Sequence, residues 1–346
     1  MRILIVKTSA LGDVVHALPV LGALRRHFSA ARIAWVVEEW IAPLLAGHPD
    51  LDEVIPVRLG AWRKRPFSGA TLREIAALRR RVALFAPEIA LDLMGNHKAG
   101  LLSALSFADR RLGPARRFRR EPSSAIWINE GVDLPEGQGG HAVDRMLAVL
   151  GGLGLRQEPA AFQPEKILSG SDAEILGGIE PPPRFALLHP GAGWGNKKYP
   201  AARWGRALAA LAIESGLQGL VASGPGDRSL ADEIVAASGG AARSVSAEIP
   251  AFAALARRAE IVLGGDSGPT HLAHALGRPV LMVMGPTDPV LHGPYGAPQL
   301  ALAKRLPCSF CHRRFAEAKA CLLEIAPREV AARAVEILRS NGFSSS

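Results

Sequence analysis

The sequence predicts an α/β fold of two Rossmann-like, doubly wound domains facing across a cleft. Two observations carry this expectation. Short apolar runs alternate with helical segments through both halves of the chain, as in parallel sheets covered on both faces. The two series are separated by residues 157–184, which have little periodicity and contain Pro181-Pro182-Pro183. Three successive prolines resist helix and central strand alike. At 346 residues the chain is long enough to bury two cores of ordinary size.

The first series reads as strands at 2–7, 32–37, 53–57 and 88–93, with helices at 13–27, 40–47, 70–85 and 97–107. The second has strands at 185–189, 218–222, 260–264 and 279–284, with helices at 201–215, 228–238 and 269–277. A last helix, 327–340, starts after Pro327 and stops before Asn341-Gly342. This organisation gives an N-terminal domain at 1–165, a linker at 166–184, a second domain at 185–326, and a C-terminal helix and tail at 327–346. In such folds ligands gather where strand C-terminal ends open into loops.

Composition narrows the function. No apolar run is long enough to span a bilayer, and Met1-Arg2-Ile3-Leu4-Ile5-Val6-Lys7 reads as a strand rather than a secretory signal, so cytoplasmic residence is expected. Net charge is +9, and it is localised: residues 58–120 hold 15 Lys/Arg against 4 Asp/Glu. Such a block suits an acidic ligand, an anionic membrane or nucleic acid. Solvated helix faces account for Arg79-Arg80-Arg81, and nucleic acid is disfavoured because no helix-turn-helix, zinc-finger or aromatic RNA-binding signature accompanies the charge. Cys308, Cys311 and Cys321 are odd in number and read as reduced thiols. With His312 they offer metal ligands, but a second Cys-x-x-Cys pair is missing, so no metal is expected.

The richest segment is Ile261-Val262-Leu263-Gly264-Gly265-Asp266-Ser267-Gly268-Pro269-Thr270-His271-Leu272. It reads as a buried strand, a tight turn permitted by Gly264-Gly265, and a helix capped by Asp266 or Ser267 with Pro269 in its first turn. A helix start offers unpaired N–H groups to a diphosphate, while Asp266 suits ligand hydroxyls. Gly191, Ala192 and Gly193 form a second small-residue loop after a strand, with Lys197 available to neutralise phosphate. In Gly224-Pro225-Gly226-Asp227, Asp227 is either a ribose acceptor or a helix cap. His271 lies beside the anion site and His274, on the same helix face, reads as packed. Pro286-Thr287-Asp288-Pro289 reads as a turn.

In the first half, Thr8 to Gly12 make a tight loop and Asp13 begins the next helix. By position alone Asp13 is a plain N-cap, although a carboxylate there also suits a general base. Neither Gly-x-x-x-x-Gly-Lys-Ser/Thr nor Gly-x-Gly-x-x-Gly occurs at this loop, which argues against an ATPase or a nicotinamide enzyme.

Taken together, Lys7-Thr8-Ser9-Ala10-Leu11-Gly12-Asp13, His189-Pro190-Gly191-Ala192-Gly193, Gly265 to His271 and Gly285-Pro286-Thr287-Asp288-Pro289 resemble the lipopolysaccharide heptosyltransferases over nearly the whole chain. These are inverting glycosyltransferases of GT-B architecture. Trp35 to Glu39, Trp62-Arg63-Lys64, Arg120-Glu121-Pro122 and His141 to Arg145 resemble the heptosyltransferase I branch, while the cysteine cluster resembles other branches. The resemblance implies transfer from ADP-L-glycero-β-D-manno-heptose to Kdo-lipid A, with Asp13 as base, which replaces the cap reading. It implies donor contacts from Gly191, Ala192, Gly193, Lys197, Asp227, Asp266, Ser267, Gly268, Thr270 and His271. Acceptor contacts fall on Ser9, Gly12, Arg63, Lys64, Lys98 and Arg120, whose cations suit Kdo carboxylates and lipid A phosphates. No cofactor beyond the ADP-heptose co-substrate is implied, and the protein is expected at the cytoplasmic face of the inner membrane. The alternatives are a relative using another nucleotide sugar or a later core acceptor (heptosyltransferase II-like), a sugar-nucleotide epimerase, and a non-catalytic sugar-nucleotide or anionic-lipid binding protein.

Overall fold

The run Ile3-Leu4-Ile5-Val6 is wholly buried because it forms a central strand flanked on both sides. In the computed structural model, which describes residues 1–134, 140–224 and 226–343, this strand, β1 (Arg2–Val6), is joined by five others. They are β2 (Arg32–Glu38), β3 (Glu53–Val57), β4 (Ile89–Asp92), β5 (Arg110–Pro114) and β6 (Glu130–Val132). All pairings are parallel, in the order β3-β2-β1-β4-β5-β6.

The second half repeats the plan. Strands β7 (Phe185–His189), β8 (Gln218–Ser223), β9 (Ala242–Ser246), β10 (Ile261–Gly265), β11 (Val280–Met284) and β12 (Ala301–Ala303) form a parallel sheet ordered β12-β11-β10-β7-β8-β9. Counted from its own first strand, each sheet has the Rossmann order 3-2-1-4-5-6. The order reverses between β1 and β4 in one unit and between β7 and β10 in the other. Loops after those strands are where such folds bind ligands.

Edge elements escaped the sequence pattern. β5, β6, β9 and β12 are short and incompletely buried, and β9, Ala-Arg-Ser-Val-Ser, has no apolar run at all. Helix Ile249–Arg258 was not among the expected elements; its Pro250 occupies the first turn, where the missing N–H is not needed. Helix Leu59–Lys64 and helix Ala142–Ala148 are further additions. The expected helix at 40–47 contracts to Ala42–Leu45.

The chain divides between Ser169 and Gly170. Lys166 donates to both carboxylate oxygens of Asp50 (3.0 and 2.8 Å) and Ser169 to the Gly47 carbonyl (2.7 Å), so residues up to 169 belong with the first unit. Just beyond, Ser171 caps helix Asp172–Leu176, and Arg257 pairs with Asp172 at 2.9 Å, joining that helix to Ile249–Arg258 of the second unit. Helix Pro327–Ser340 buries Val330, Ala331, Ala334, Val335, Ile337 and Leu338, one helical face, and packs against helix Ala201–Ser215. Residues 344–346 of the expected tail lie outside the described residues. Among the described residues no helix is long and apolar enough to cross a membrane.

Candidate functional site

In the second unit, β7 and β10 lie side by side, and the loops at their ends converge on one carboxylate. Lys197 donates its ammonium to Asp266 Oδ2 at 2.5 Å, and the Thr287 hydroxyl donates to the same oxygen at 2.6 Å. His271 Nε2 approaches Asp266 Oδ1 at 3.2 Å. The Asp266 side chain is 9% exposed. Burial alone pushes such a carboxyl up, but the His271 hydrogen bond and the Lys197 charge outweigh it and hold Asp266 well below the usual carboxylate range.

The expectation that Gly264 and Gly265 permit a tight turn is corrected. Both belong to β10 and neither has a left-handed φ. Glycine is required for close approach instead: a Cβ on Gly264 would meet Thr270 Oγ1 at 2.3 Å, and one on Gly265 the Lys197 carbonyl oxygen at 3.0 Å. Ser267 occupies the cap position of helix Gly268–Ala275, but its hydroxyl pairs with Thr270 Oγ1 at 3.0 Å and makes no side-chain cap. The cap residue therefore leaves the opening N–H groups of this helix without a side-chain cap. His274 places Nε2 2.9 Å from the Tyr295 carbonyl oxygen.

The loop after β7 is built to carry Lys197. Asn196 is buried; its amide donates to the Arg313 carbonyl (2.8 Å) and accepts from Phe315 N–H (3.2 Å), while its own N–H donates to the Phe315 carbonyl (3.0 Å). A Cβ on Gly195 would lie 1.8 Å from the Ala316 carbonyl oxygen, so no other residue fits there. Trp194 carries the Lys197 ammonium 4.3 Å and the Arg314 guanidinium 4.5 Å from its ring centroid. Around Gly193, by contrast, a Cβ would meet nothing within 4 Å. Gly191 lies against the Asp227 carboxylate, and Asp227 pairs with Lys198 at 3.1 Å rather than making a side-chain cap. Pro225 of that loop lies outside the described residues. His189, packed edge-to-face on Phe252, is pushed by burial down to about 4.

In the first unit the loop after β1 is more open. Asp13 does not begin its helix: the helix spans Leu11–His27 and Asp13 lies in its first turn. One carboxylate oxygen accepts the Ala10 N–H at 3.2 Å, and the other lies 3.7 Å from the buried Lys7 ammonium, which also donates to the Leu93 carbonyl at 3.2 Å. The Asp13 side chain remains 47% exposed. Ser9 and Gly12 flank it on the same loop and first turn, both partly buried.

At the end of β4, Asp92 and Arg119 form a wholly buried ion pair. Asp92 Oδ1 also accepts the Met94 and Gly95 N–H groups at 2.9 and 3.0 Å, and Arg119 Nε donates to Ser124 Oγ at 2.7 Å. This pair fixes the backbone that presents exposed Arg120. Lys98 is exposed in the first turn of helix His97–Leu105, and its charge partly counters the burial that raises Glu38. Arg63 and Lys64 are exposed at the end of helix Leu59–Lys64. Among the described residues, no hydrogen bond or ion pair joins Arg63, Lys64, Lys98 or Arg120 to the Asp13 loop.

Lys197, Asp266 and His271 are thus brought into direct contact, with Ser267, Gly268 and Thr270 on the adjoining turn. Thr287 was read as a turn residue and as part of a family motif but was given no place in the site, although its position after the strand beside β10 was a usable signal. Sequence reasoning also missed Asn196, Trp194, Asp92 and Arg119. Cys308 and Cys311 are exposed and Cys321 is buried against Gly285; among the described residues no three His, Cys, Asp or Glu side chains are grouped to hold a metal ion.

Comparison with known proteins adds the context for this geometry. The sequence profile of glycosyltransferase family 9 (heptosyltransferase) matches residues 75–321. Lipopolysaccharide heptosyltransferase 1 of Pseudomonas aeruginosa is 32% identical over 317 residues, covering 91% of this chain and 87% of that protein. The structure of Escherichia coli heptosyltransferase WaaC with ADP superposes with a TM-score of 0.79 at 26% identity, covering 97% of this chain and all of that one. The same enzyme with ADP-2-deoxy-2-fluoro heptose gives 0.75 at 26% identity, covering 99% and 100%.

Proposed function

The chain belongs to glycosyltransferase family 9, the heptosyltransferases, and from that membership we propose that it moves L-glycero-D-manno-heptose from ADP-heptose to Kdo-lipid A during assembly of the lipopolysaccharide inner core. The observation that carries the reading is the Lys197–Asp266–His271–Thr287 cluster at the head of a helix whose first N–H groups lack a side-chain cap. A carboxylate accepts about four hydrogen bonds. Three positions are taken on Asp266, which leaves one for a hydroxyl of the donor. Lys197 uses one of its three N–H donors on Asp266, so it binds the diphosphate without abandoning the carboxylate.

Asp13 is the general base. It takes the proton of the acceptor hydroxyl as that oxygen attacks the anomeric carbon, the bond to the diphosphate breaks, and ADP leaves with the electron pair and inversion at carbon. Lys197 and the N–H groups at the start of helix Gly268–Ala275 stabilise the departing charge. Gly191, Ala192 and Gly193 let the nucleotide approach the backbone, and Asp227 accepts from the ribose. Ser9, Gly12, Arg63, Lys64, Lys98 and Arg120 hold the acceptor, whose carboxylates and phosphates match their charge. The reaction takes place at the cytoplasmic face of the inner membrane, where a glycolipid acceptor is presented.

Incubation of the purified protein with ADP-heptose and Kdo-lipid A, followed by mass analysis of the lipid, tests the substrate pair. A gain of one heptose is expected. No gain, with a known heptosyltransferase active in the same mixture, overturns it.

A further inference from the structure

Phe67 is 89% exposed, the most exposed large apolar side chain among the described residues. It stands in the run Arg63-Lys64-Arg65-Pro66-Phe67, every member of which is exposed. Arg63, Lys64 and Arg65 have no ion-pair partner among the described residues. The neighbouring cation Arg58, in contrast, pairs with Glu39 (3.4 Å) and Glu74 (3.1 Å).

The tip is a built turn rather than a stray side chain. Trp62, at its base, donates to Glu74 Oε2 at 2.6 Å. The Arg65 carbonyl accepts from Thr71 Oγ1 (2.8 Å) and from Ser68 N–H (3.2 Å), and Ser68 caps the following helix, Gly69–Phe85, through Thr71 N–H. Leu72, in the first turn of that helix, is exposed as well. An apolar residue exposed on a hydrogen-bonded turn, directly after three cations that have no ion-pair partner among the described residues, is uncomfortable in water and complementary to the headgroup boundary of an anionic bilayer.

We propose that the Arg63–Phe67 turn is a membrane-docking element: Phe67 enters the interfacial zone of an anionic bilayer and Arg65 lies against lipid phosphates, beside Arg63 and Lys64, which the proposed function gives to the acceptor. The inference rests on the proposed glycolipid acceptor and adds to it a separate contact with the surrounding lipid. Its consequence is kinetic. Docking concentrates the enzyme where the acceptor resides, so loss of Phe67 matters for an acceptor in a bilayer and not for one free in solution.

Co-sedimentation with phosphatidylethanolamine vesicles containing phosphatidylglycerol tests this, with pure phosphatidylcholine vesicles for comparison. Phe67→Ser should lower partitioning to the anionic vesicles by about tenfold. Raising salt from about 0.1 to 1 M should weaken wild-type binding, since the Debye length falls from ~10 to ~3 Å. Ile213→Ser, which removes an apolar side chain 86% exposed on the second unit and lacking adjacent cations, should change nothing. Turnover on vesicle-embedded Kdo-lipid A should fall with Phe67→Ser, while turnover on the deacylated, soluble acceptor saccharide stays at the wild-type rate.

Unchanged vesicle binding by Phe67→Ser overturns the proposal. So does an equal loss on the embedded and soluble acceptors, which would place Phe67 at the saccharide. Failure of the wild-type protein to use either acceptor overturns the proposed substrate pair instead, and vesicle partitioning still reads the docking element by itself.

Discussion

Each Rossmann-like unit places an acid just beyond a central strand, Asp266 in the loop after β10 and Asp13 in the first turn of the helix after β1, and the two acids are held in opposite ways. Asp266 of the second unit is buried and takes hydrogen bonds from Lys197, Thr287 and His271. Asp13 of the first is half-exposed, with one backbone hydrogen bond and a Lys7 ammonium at 3.7 Å. A carboxylate already holding three donors is stabilised as an anion and is a poor proton acceptor. The contrast separates two environments that sequence position alone does not: Asp266 is held by three neighbouring side chains, whereas Asp13 is open to a partner, which is what the proposed roles in binding and in proton transfer require.

Exchange of the carboxylate for an amide is the sharpest way to break this contrast. Asp13→Asn should lower turnover by about 10²–10⁴-fold, the usual contribution of a general base, while ADP affinity by calorimetry stays within about twofold of wild type. Unchanged turnover would remove Asp13 from the chemistry. Asp266→Ala should do the reverse in kind: destabilise the fold by about 3 kcal/mol, because the Lys197 charge is left buried without its partner, and weaken ADP binding. The Asp266 carboxyl is depressed in the folded state. Its contribution to stability is therefore fully present above 3.8, the ordinary value, and is lost as pH falls below it. Denaturant unfolding at neutral and acid pH reads both effects, and the variant should show a shallower acid limb. An equal acid limb in both proteins places the stabilisation elsewhere.

The central strands of both sheets were legible because they are apolar runs buried on two faces; β1, β4, β7, β10 and β11 all read that way. Edge strands such as β9 gain their place from a neighbour's backbone rather than from their own side chains, and carry little pattern. At the donor loops the sequence suggested which residues to watch but not their mutual contacts. Lys197 and Asp266 were assigned separate ligand groups, and their ion pair spans 69 residues of sequence, a distance no local period reports. Asn196 and Arg119 were illegible for a related reason. Each acts by tying its loop to another segment, 117 to 119 residues away for Asn196 and 27 for the Arg119–Asp92 pair, and neither belongs to a motif.

The basic residue at the end of the first strand differs between the units as well. Lys7 follows β1 and is paired with Asp13, whereas β7 ends in His189, which burial keeps neutral down to about 4. The sign of the linkage is set by the unfolded chain, where the imidazole takes up a proton below its ordinary 6.5. Between 6.5 and about 4 the unfolded state binds more protons than the folded one, so stability falls as pH falls through this window. The shift corresponds to roughly 3 kcal/mol. His189→Gln should flatten the unfolding free energy across that range, and a slope equal to wild type would assign it to other groups.

The smallest expected effect concerns open space. Gly193 and Gly60 are both glycines around which a Cβ would meet nothing within 4 Å, one in the proposed donor loop and the other in the short helix Leu59–Lys64. Neither has a left-handed φ, so alanine fits both backbones and restricts the unfolded chain, a gain of about 0.4–1 kcal/mol in either case. Thermal unfolding should therefore treat the two substitutions alike. Ligand binding should not. If the space over Gly193 is where the nucleotide diphosphate meets the backbone, Gly193→Ala narrows it and weakens ADP binding severalfold, while Gly60→Ala leaves ADP binding at the wild-type value. Equal ADP affinity in the two variants would mean that the gap over Gly193 is ordinary loop surface, and that the donor is held by the Lys197–Asp266 side of the site alone.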